Sequence, residues 1–271
     1  MKYIAVSFST SNTEEQNEML IALLSDIGFE GFEEADHTLK GFIKETELNK
    51  VQLIAIAEGL NLSFTLDTVE QQNWNAAWER SFEPVIINDF AAIRAHFHQL
   101  VQHVKHDIII TPKMSFGTGH HATTYLMMEQ MSLLSFTNKT VLDFGTGTGV
   151  LSILAEKMGA SEIIGIDNDD WSIENAEENL VRNQSSHISL QKAEEVIASK
   201  KYDIILANIN LNVITANMAA LAASCAAEAT ILLSGFLVTD QDLIKASIKE
   251  NNLIFKSFTQ QKDWICVLVT T

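Results

Sequence analysis

Val141-Leu142-Asp143-Phe144-Gly145-Thr146-Gly147-Thr148-Gly149-Val150 is the stretch on which the fold turns. A short apolar strand ends in an acid, passes glycines at every second position, and opens into a helix expected over 150–158. Glycines so spaced let the backbone turn sharply and approach a ligand closely. A second strand, Ile163 to Ile166, ends in Asp167, placed to accept the two hydroxyls of a ribose. These features describe a nucleoside-binding α/β crevice.

Outward from this stretch the chain alternates helix and strand. Thr123 to Leu134 reads as a helix, 140–143 and 163–166 as strands, and Trp171 to Arg182 as a helix. Further strands are expected at Ser189–Gln191, Ile204–Ala207 and 230–233. The Ala-rich half of the apolar run Met218 to Val238 suits a helix; Glu228 interrupts the run, which argues against a membrane span. Leu253 to Phe258 and Trp264 to Val269 form a terminal hairpin. The pattern predicts an α/β fold: a doubly wound sheet that finishes with an antiparallel pair. Val85–Ile87, Ala91–Arg94 and Ile108–Ile110 are strand candidates upstream of it.

Residues 1–70 read as a separate unit. Tyr3–Phe8 is strand-like, and a helix over Thr13–Ile27 has Thr13 as its cap and Glu14 and Glu15 in its first turn. A hairpin crosses Asp36-His37, a helix covers Glu47–Glu58, and Leu62–Thr68 closes the unit. That β-α-β-β-α-β order is the ferredoxin-like split βαβ pattern, a small α+β domain. Gln71 to Phe82 carries Trp74 and Trp78 on one face of a linker helix, leaving 83–271 for the nucleoside-binding domain.

Composition narrows the function. Cys225 and Cys266 have no metal or redox spacing and fit reduced, buried thiols in the cytoplasm. The N-terminus carries no signal-peptide pattern. The net charge is −17, and residues 1–70 hold 4 basic and 13 acidic side chains, or −9. Such a chain repels phosphate backbones and attracts a basic partner, so nucleic acid is not the expected partner; the interruption of the apolar run at Glu228 leaves no membrane expected either.

A nicotinamide domain would want G-x-G-x-x-G around a pyrophosphate. Here the third glycine, Gly149, comes one position early, and Asp143 stands before the first. A strand-end carboxylate suits an ammonium or sulfonium, and S-adenosylmethionine carries both. Two rivals stay open at this point: a nicotinamide-dependent oxidoreductase, and a non-catalytic assembly factor that binds an adenosyl cofactor.

Met114-Ser115-Phe116-Gly117-Thr118-Gly119-His120-His121-Ala122-Thr123-Thr124 resembles the signature of the bacterial methyltransferases that modify ribosomal protein eleven of the large subunit. The resemblance continues through Asp143–Gly149, Gly165-Ile166-Asp167 and Ala207-Asn208-Ile209 to Trp264. Lys113 and Asn210-Leu211-Asn212 depart from the family pattern. The resemblance implies a class I, Rossmann-like, S-adenosylmethionine-dependent methyltransferase domain behind a substrate-recognition domain. Its acceptors would be lysine side chains and the N-terminal α-amine of one ribosomal protein. Carried over by position, Thr124, Gly145, Asp167 and Asn208 would contact the cofactor; Asp143, Gly147 and Phe116 join them on the residue-level reading, Phe116 as an apolar cover.

Methyl transfer needs alignment and a neutral amine, because the donor carbon is already activated. Neutralising a lysine of pKa near 10.4 at pH 7 costs roughly 4–5 kcal/mol, a cost that desolvation lowers. Asn208 cannot act as a base, but its carbonyl can orient an amine, and it is the candidate catalytic residue. His120 and His121 are adjacent, a poor arrangement for chelating one ion, so no metal is expected. They fit a loop that closes over the cofactor. Glu194, after the third strand of the sheet, fits a place near an adenine amine and fits a solvated helix start equally well.

Overall fold

The computed structural model describes residues 3–10, 14–35, 37–69, 82–112, 119–196 and 200–271. Thr13, Asp36, Trp74, Trp78, Lys113 and Phe116, and the first-turn side chains of Glu14 and Glu15, lie outside what is described, as does the linker helix apart from Phe82. The chain divides into two compact units, Met1–Ser81 and Phe82–Thr271.

In the first unit, β1 (Tyr3–Ser9), β2 (Gly31–Ala35), β3 (Thr38–Lys44) and β4 (Phe64–Val69) form an antiparallel sheet in the order β2-β3-β1-β4. Helices α1 (Glu14–Asp26) and α2 (Lys50–Gly59) cross between strands. Alternate residues of β1, Val6 and Phe8 among them, pack with Leu20, Leu24 and Leu53 of the helices. α2 starts three residues later than periodicity suggests. The Asn49 side chain accepts from the amides of Val51 and Gln52 and so sets the first turn there. Glu47, left outside the helix, pairs with Lys44 at 3.5 Å.

The second unit is built on seven strands in the order β10-β9-β8-β11-β12-β14-β13. They are β8 (Thr140–Phe144), β9 (Glu162–Asp167), β10 (Ile188–Lys192), β11 (Tyr202–Asn208), β12 (Cys225–Leu237), β13 (Ile254–Gln261) and β14 (Trp264–Thr270). β8 to β12 run parallel, and β14 is antiparallel to both β12 and β13, which is the expected hairpin end. The strand order reverses direction between β8 and β11, and ligands of open α/β sheets collect at that switch point.

Helices α3 (Ala122–Met131), α4 (Val150–Lys157), α5 (Asp170–Asn183), α6 (Leu211–Ala223) and α7 (Gln241–Glu250) cover the sheet. Its residues alternate between two cores as strand geometry requires. Val141, Ile204 and Leu206 pack on the side of α3 and α4, while Leu142, Ile205 and Ala207 pack on the side of α6 and α7. Among the described residues no helix is long and apolar enough to cross a membrane.

The upstream strand candidates are strands, β5 (Val85–Ile87), β6 (Ala91–Ala95) and β7 (His106–Ile110), and form their own three-stranded sheet. One expectation changes. The Ala-rich run stops being helical at Ser224, and Cys225 already pairs with Tyr202. A register shift between Tyr202 and Ile204, with Glu228 at φ 58°, absorbs the extra residues. Pairing with β11 outweighs the helix propensity of alanine, which is worth only a few tenths of a kcal/mol per residue.

Parallel strands β8 and β11 are also stapled by a side chain. Asp203 accepts from the Thr140 amide at 2.9 Å and its hydroxyl at 3.0 Å, with Lys139 at 3.3 Å. The Thr140 amide, followed by burial acting in the opposite sense, leaves the Asp203 pKa below its ordinary value. A depressed folded-state pKa gives stability present above the unfolded value and lost as pH falls through the folded one. Asp203→Asn is therefore expected to flatten the acid limb of the stability profile below about pH 4. Urea titrations of both proteins across that range check this; parallel acid limbs would refute the staple.

Candidate functional site

The turn after β8 places three glycines in the left-handed region, Gly145 at φ 77°, Gly147 at 53° and Gly149 at 77°. An L side chain there is strained, so the sequence spacing and the backbone path are one fact. The Gly145 and Thr146 amides both donate to the Ile166 carbonyl at the end of β9, at 2.8 and 2.9 Å. The Gly147 amide donates to Asp167 Oδ2 at 2.9 Å, and Asp167 Oδ1 accepts from the Asp169 amide at 3.1 Å. Asp167 is thus held by backbone from both sides and faces the space above the turn.

That space is a cavity of about 350 Å³, within the range of small-molecule sites. Gly145, Thr146 and Gly147 form its floor, with Asp167 and Ser172 at one end. Asn208, Ile209 and Asn210 leave β11 along one wall, and His121, Thr124 and Trp264 form another. A smaller cavity of about 80 Å³ adjoins it, lined by Glu194 and Asn168 and sharing Gly145, Asp167 and Ile209. Glu194 is exposed and lines this smaller cavity on the Asp167 side.

Asn208 is buried at the tip of β11, and its Nδ2 donates to Thr124 Oγ1 at 3.4 Å. Asn208 Oδ1 has no hydrogen-bond partner. A buried acceptor left unpaired costs about 1–3 kcal/mol, which a ligand bearing an N–H would recover. Thr124, fully buried in the first turn of α3, thus links the two walls.

Asp143 has a different place from the one expected of it. It is 1 % exposed and does not line the cavity. Its Oδ2 accepts from Thr146 Oγ1 and Ser152 Oγ, both at 2.7 Å. Burial raises its pKa, against the lowering pull of the Ser152 and Thr146 hydroxyls. This carboxylate ties the turn to α4 from beneath, because the pleat that sends Leu142 to one face sends Asp143 under the glycines.

His120 and His121 part company. His121 caps α3, its Nδ1 accepting from the Thr123 amide at 3.3 Å, and its ring meets Trp264 edge-on with centroids 4.5 Å apart. Burial lowers its pKa, in keeping with an imidazole that accepts at Nδ1. His120 turns away and bonds the Glu83 carbonyl at 3.0 Å.

Sequence reasoning passed over Gly235. It sits at φ 98° in β12, where the register against β14 shifts between Ser234 and Phe236. A Cβ there would lie 2.3 Å from the Ile209 carbonyl oxygen. This glycine makes room for the chain leaving Asn208. An isolated glycine within a strand pattern is the signal that would have found it.

Comparison with known proteins agrees with this geometry. The chain matches the ribosomal protein L11 methyltransferase (PrmA) family over residues 4–271 and belongs to that family. It is 34% identical to the ribosomal protein L11 methyltransferase of Bacteroides thetaiotaomicron, covering 100% of both chains. It is 40% identical to that of Chlorobaculum parvum over 93% of this chain and 91% of the relative. Among solved structures, a ribosomal protein L11 methylase from Lactobacillus delbrueckii subsp. bulgaricus superposes with a TM-score of 0.65 at 27% identity. That match covers 69% of this chain and 98% of the other. The large sheet is the mixed, Rossmann-like sheet of class I methyltransferases.

Gly235→Ala would push the Ile209 peptide into the cavity. Its dissociation constant for S-adenosylmethionine is expected to rise at least about tenfold, some 1.4 kcal/mol, with the circular dichroism spectrum unchanged. Calorimetric titration checks this, and wild-type affinity would refute the close approach.

Proposed function

We propose that this chain transfers methyl groups from S-adenosylmethionine to amino groups of ribosomal protein L11, both lysine side chains and the N-terminal α-amine. Family membership supports methyl transfer over the oxidoreductase and the non-catalytic assembly factor. The observation that carries the residue-level reading is the pairing, in one cavity, of a backbone-held Asp167 with the unpaired Asn208 Oδ1.

When bound, the donor supplies an electrophilic methyl on a sulfonium. The chain's own residues position and desolvate. Asp167 accepts from the ribose hydroxyls, and Gly145 and Gly147 let the backbone come close beneath them. Thr124 Oγ1, already accepting from Asn208, keeps its own proton to donate toward the donor's amino-acid end. Asn208 Oδ1 accepts an N–H of the incoming amine and so aims its lone pair at the methyl. The apolar edges of Trp264, Ile209 and Leu151 exclude water, which favours the neutral amine. Phe116, outside the described residues, remains proposed as a cover.

The first unit we assign to substrate recognition. Its strand order β2-β3-β1-β4 with two crossing helices supports the ferredoxin-like reading. Its net −9 over residues 1–70 suits a basic ribosomal protein. The cytoplasm is the compartment such a substrate implies.

Intact-mass spectrometry of purified L11 after incubation with enzyme and donor tests the activity; increments of one methylene each are expected. Asp167→Ala should abolish them and weaken donor binding at least about a hundredfold, since it removes a charged acceptor of two hydroxyls. An unmodified L11 with wild-type enzyme would sink the substrate assignment, and unchanged donor affinity in the variant would sink the ribose assignment.

A further inference from the structure

Helix α5 presents Asn179 and Asn183 one turn apart to the chain running through β7. Asn183 bonds both backbone groups of Ile109, its Oδ1 accepting from the amide at 3.0 Å and its Nδ2 donating to the carbonyl at 2.6 Å. In doing so it pairs the edge of β7 as a neighbouring strand would. Asn179, fully buried, divides its amide between two places. Its Oδ1 accepts from the Thr111 amide at 2.7 Å, and its Nδ2 donates to the Thr148 carbonyl at 2.9 Å. Thr148 belongs to the glycine turn that floors the cavity. Thr111 follows β7 and precedes, in the chain, Gly119 and His121.

The Thr111 end is gripped further. Its hydroxyl donates to Glu178 Oε1 at 2.9 Å and accepts from Arg182 Nε at 2.6 Å, and Arg182 is itself paired with Glu178 at 2.8 Å. One end of Asn179 therefore rests on an anchored backbone, and the other holds a turn whose glycines give it little stiffness of its own. Gly149, the N-cap of α4, has a left-handed φ and no side-chain cap bond, and a Cβ added there would come 3.3 Å from the Ala176 Cβ on the same α5. α5 thus passes close to the turn at Gly149 and holds it by hydrogen bond at Thr148.

We propose that Asn179 is a positioning residue for the methyl-donor site: it fixes the Thr148 peptide, and with it the Gly145–Gly149 floor, against the anchored end of β7. This rests on the reading that the floor holds S-adenosylmethionine. Asn183 supplies the control. It sits on the same helix, bonds the β7 chain two residues before Thr111, and loses three hydrogen bonds on truncation, one of them to the Asn179 carbonyl, yet it does not bond the turn.

The experiment is calorimetric titration of S-adenosylmethionine into full-length wild type, Asn179→Ala, Asn183→Ala and Asn179→Asp, well below each melting temperature. Both alanine variants are expected to melt earlier. Only Asn179→Ala should lose donor affinity, at least about tenfold, while Asn183→Ala stays within about twofold. Asn179→Asp keeps shape and the acceptor toward Thr111 but sets an oxygen against the Thr148 carbonyl, so its affinity should also fall. Equal affinity losses at positions 179 and 183, or a wild-type constant in Asn179→Asp, would overturn the proposal and leave Asn179 a packing residue. Absence of donor binding by wild type would instead overturn the cofactor reading beneath it.

Discussion

The hydrogen bond from the Gly147 amide to the Asp167 carboxylate is the constraint on which the site depends. It exists because β8 and β9 run parallel with Phe144 level with Ile166, so the turn after one strand meets the acid after the other. Only a backbone free to take left-handed angles at 145, 147 and 149 can fold down far enough for its amides to reach Ile166 and Asp167. Once closed, the turn leaves Asp167 facing upward and Asp143 sealed below, where Thr146 and Ser152 hold it. Two carboxylates so near in sequence take opposite roles: one faces the cavity, the other braces its floor.

The rest of the cavity is assembled from elements far apart in the chain. α3 brings Thr124 and His121, β11 ends in Asn208, and β14 begins with Trp264. The terminal hairpin matters for this reason: its antiparallel return puts Trp264 opposite Leu237, beside the bulge at Gly235 that lets Ile209 pass. The wall is largely apolar, and its polar side chains are mostly held by neighbouring groups, Thr146 by Asp143, Ser172 by Asp169 and Asn210 by the Val213 amide. The unpaired Asn208 Oδ1 is the exception, and a site that aims an amine needs such a group.

Much of this was legible before any coordinates. The alternate glycines, the acid at Asp167 and the closing hairpin each encode local geometry, and local geometry is what residue spacing carries. The parallel sheet, its helices and the place of Gly145 follow from them, whereas Thr124 and Asn208 were named by the family resemblance. What was not legible depended on register between distant strands. Nothing in Cys225-Ala226-Ala227-Glu228-Ala229 reveals a strand until Tyr202 lies beside it. The inward turn of Asp143 depends on which face of β8 meets α4. The bond from Asn179 to Thr148 and Thr111 joins three places in the chain with no shared pattern. The separation of β5, β6 and β7 from the large sheet is likewise a matter of pairing, since a strand's composition does not name its partner.

The central claim is that Asp167 grips the ribose of a methyl donor above the glycine turn. A crystal structure of the full-length chain grown with S-adenosylmethionine tests it most directly. The account predicts the ribose hydroxyls within hydrogen-bond distance of the Asp167 carboxylate, with the donor's methyl facing Asn208. A donor bound elsewhere, or one whose sugar rests away from Asp167, would contradict it.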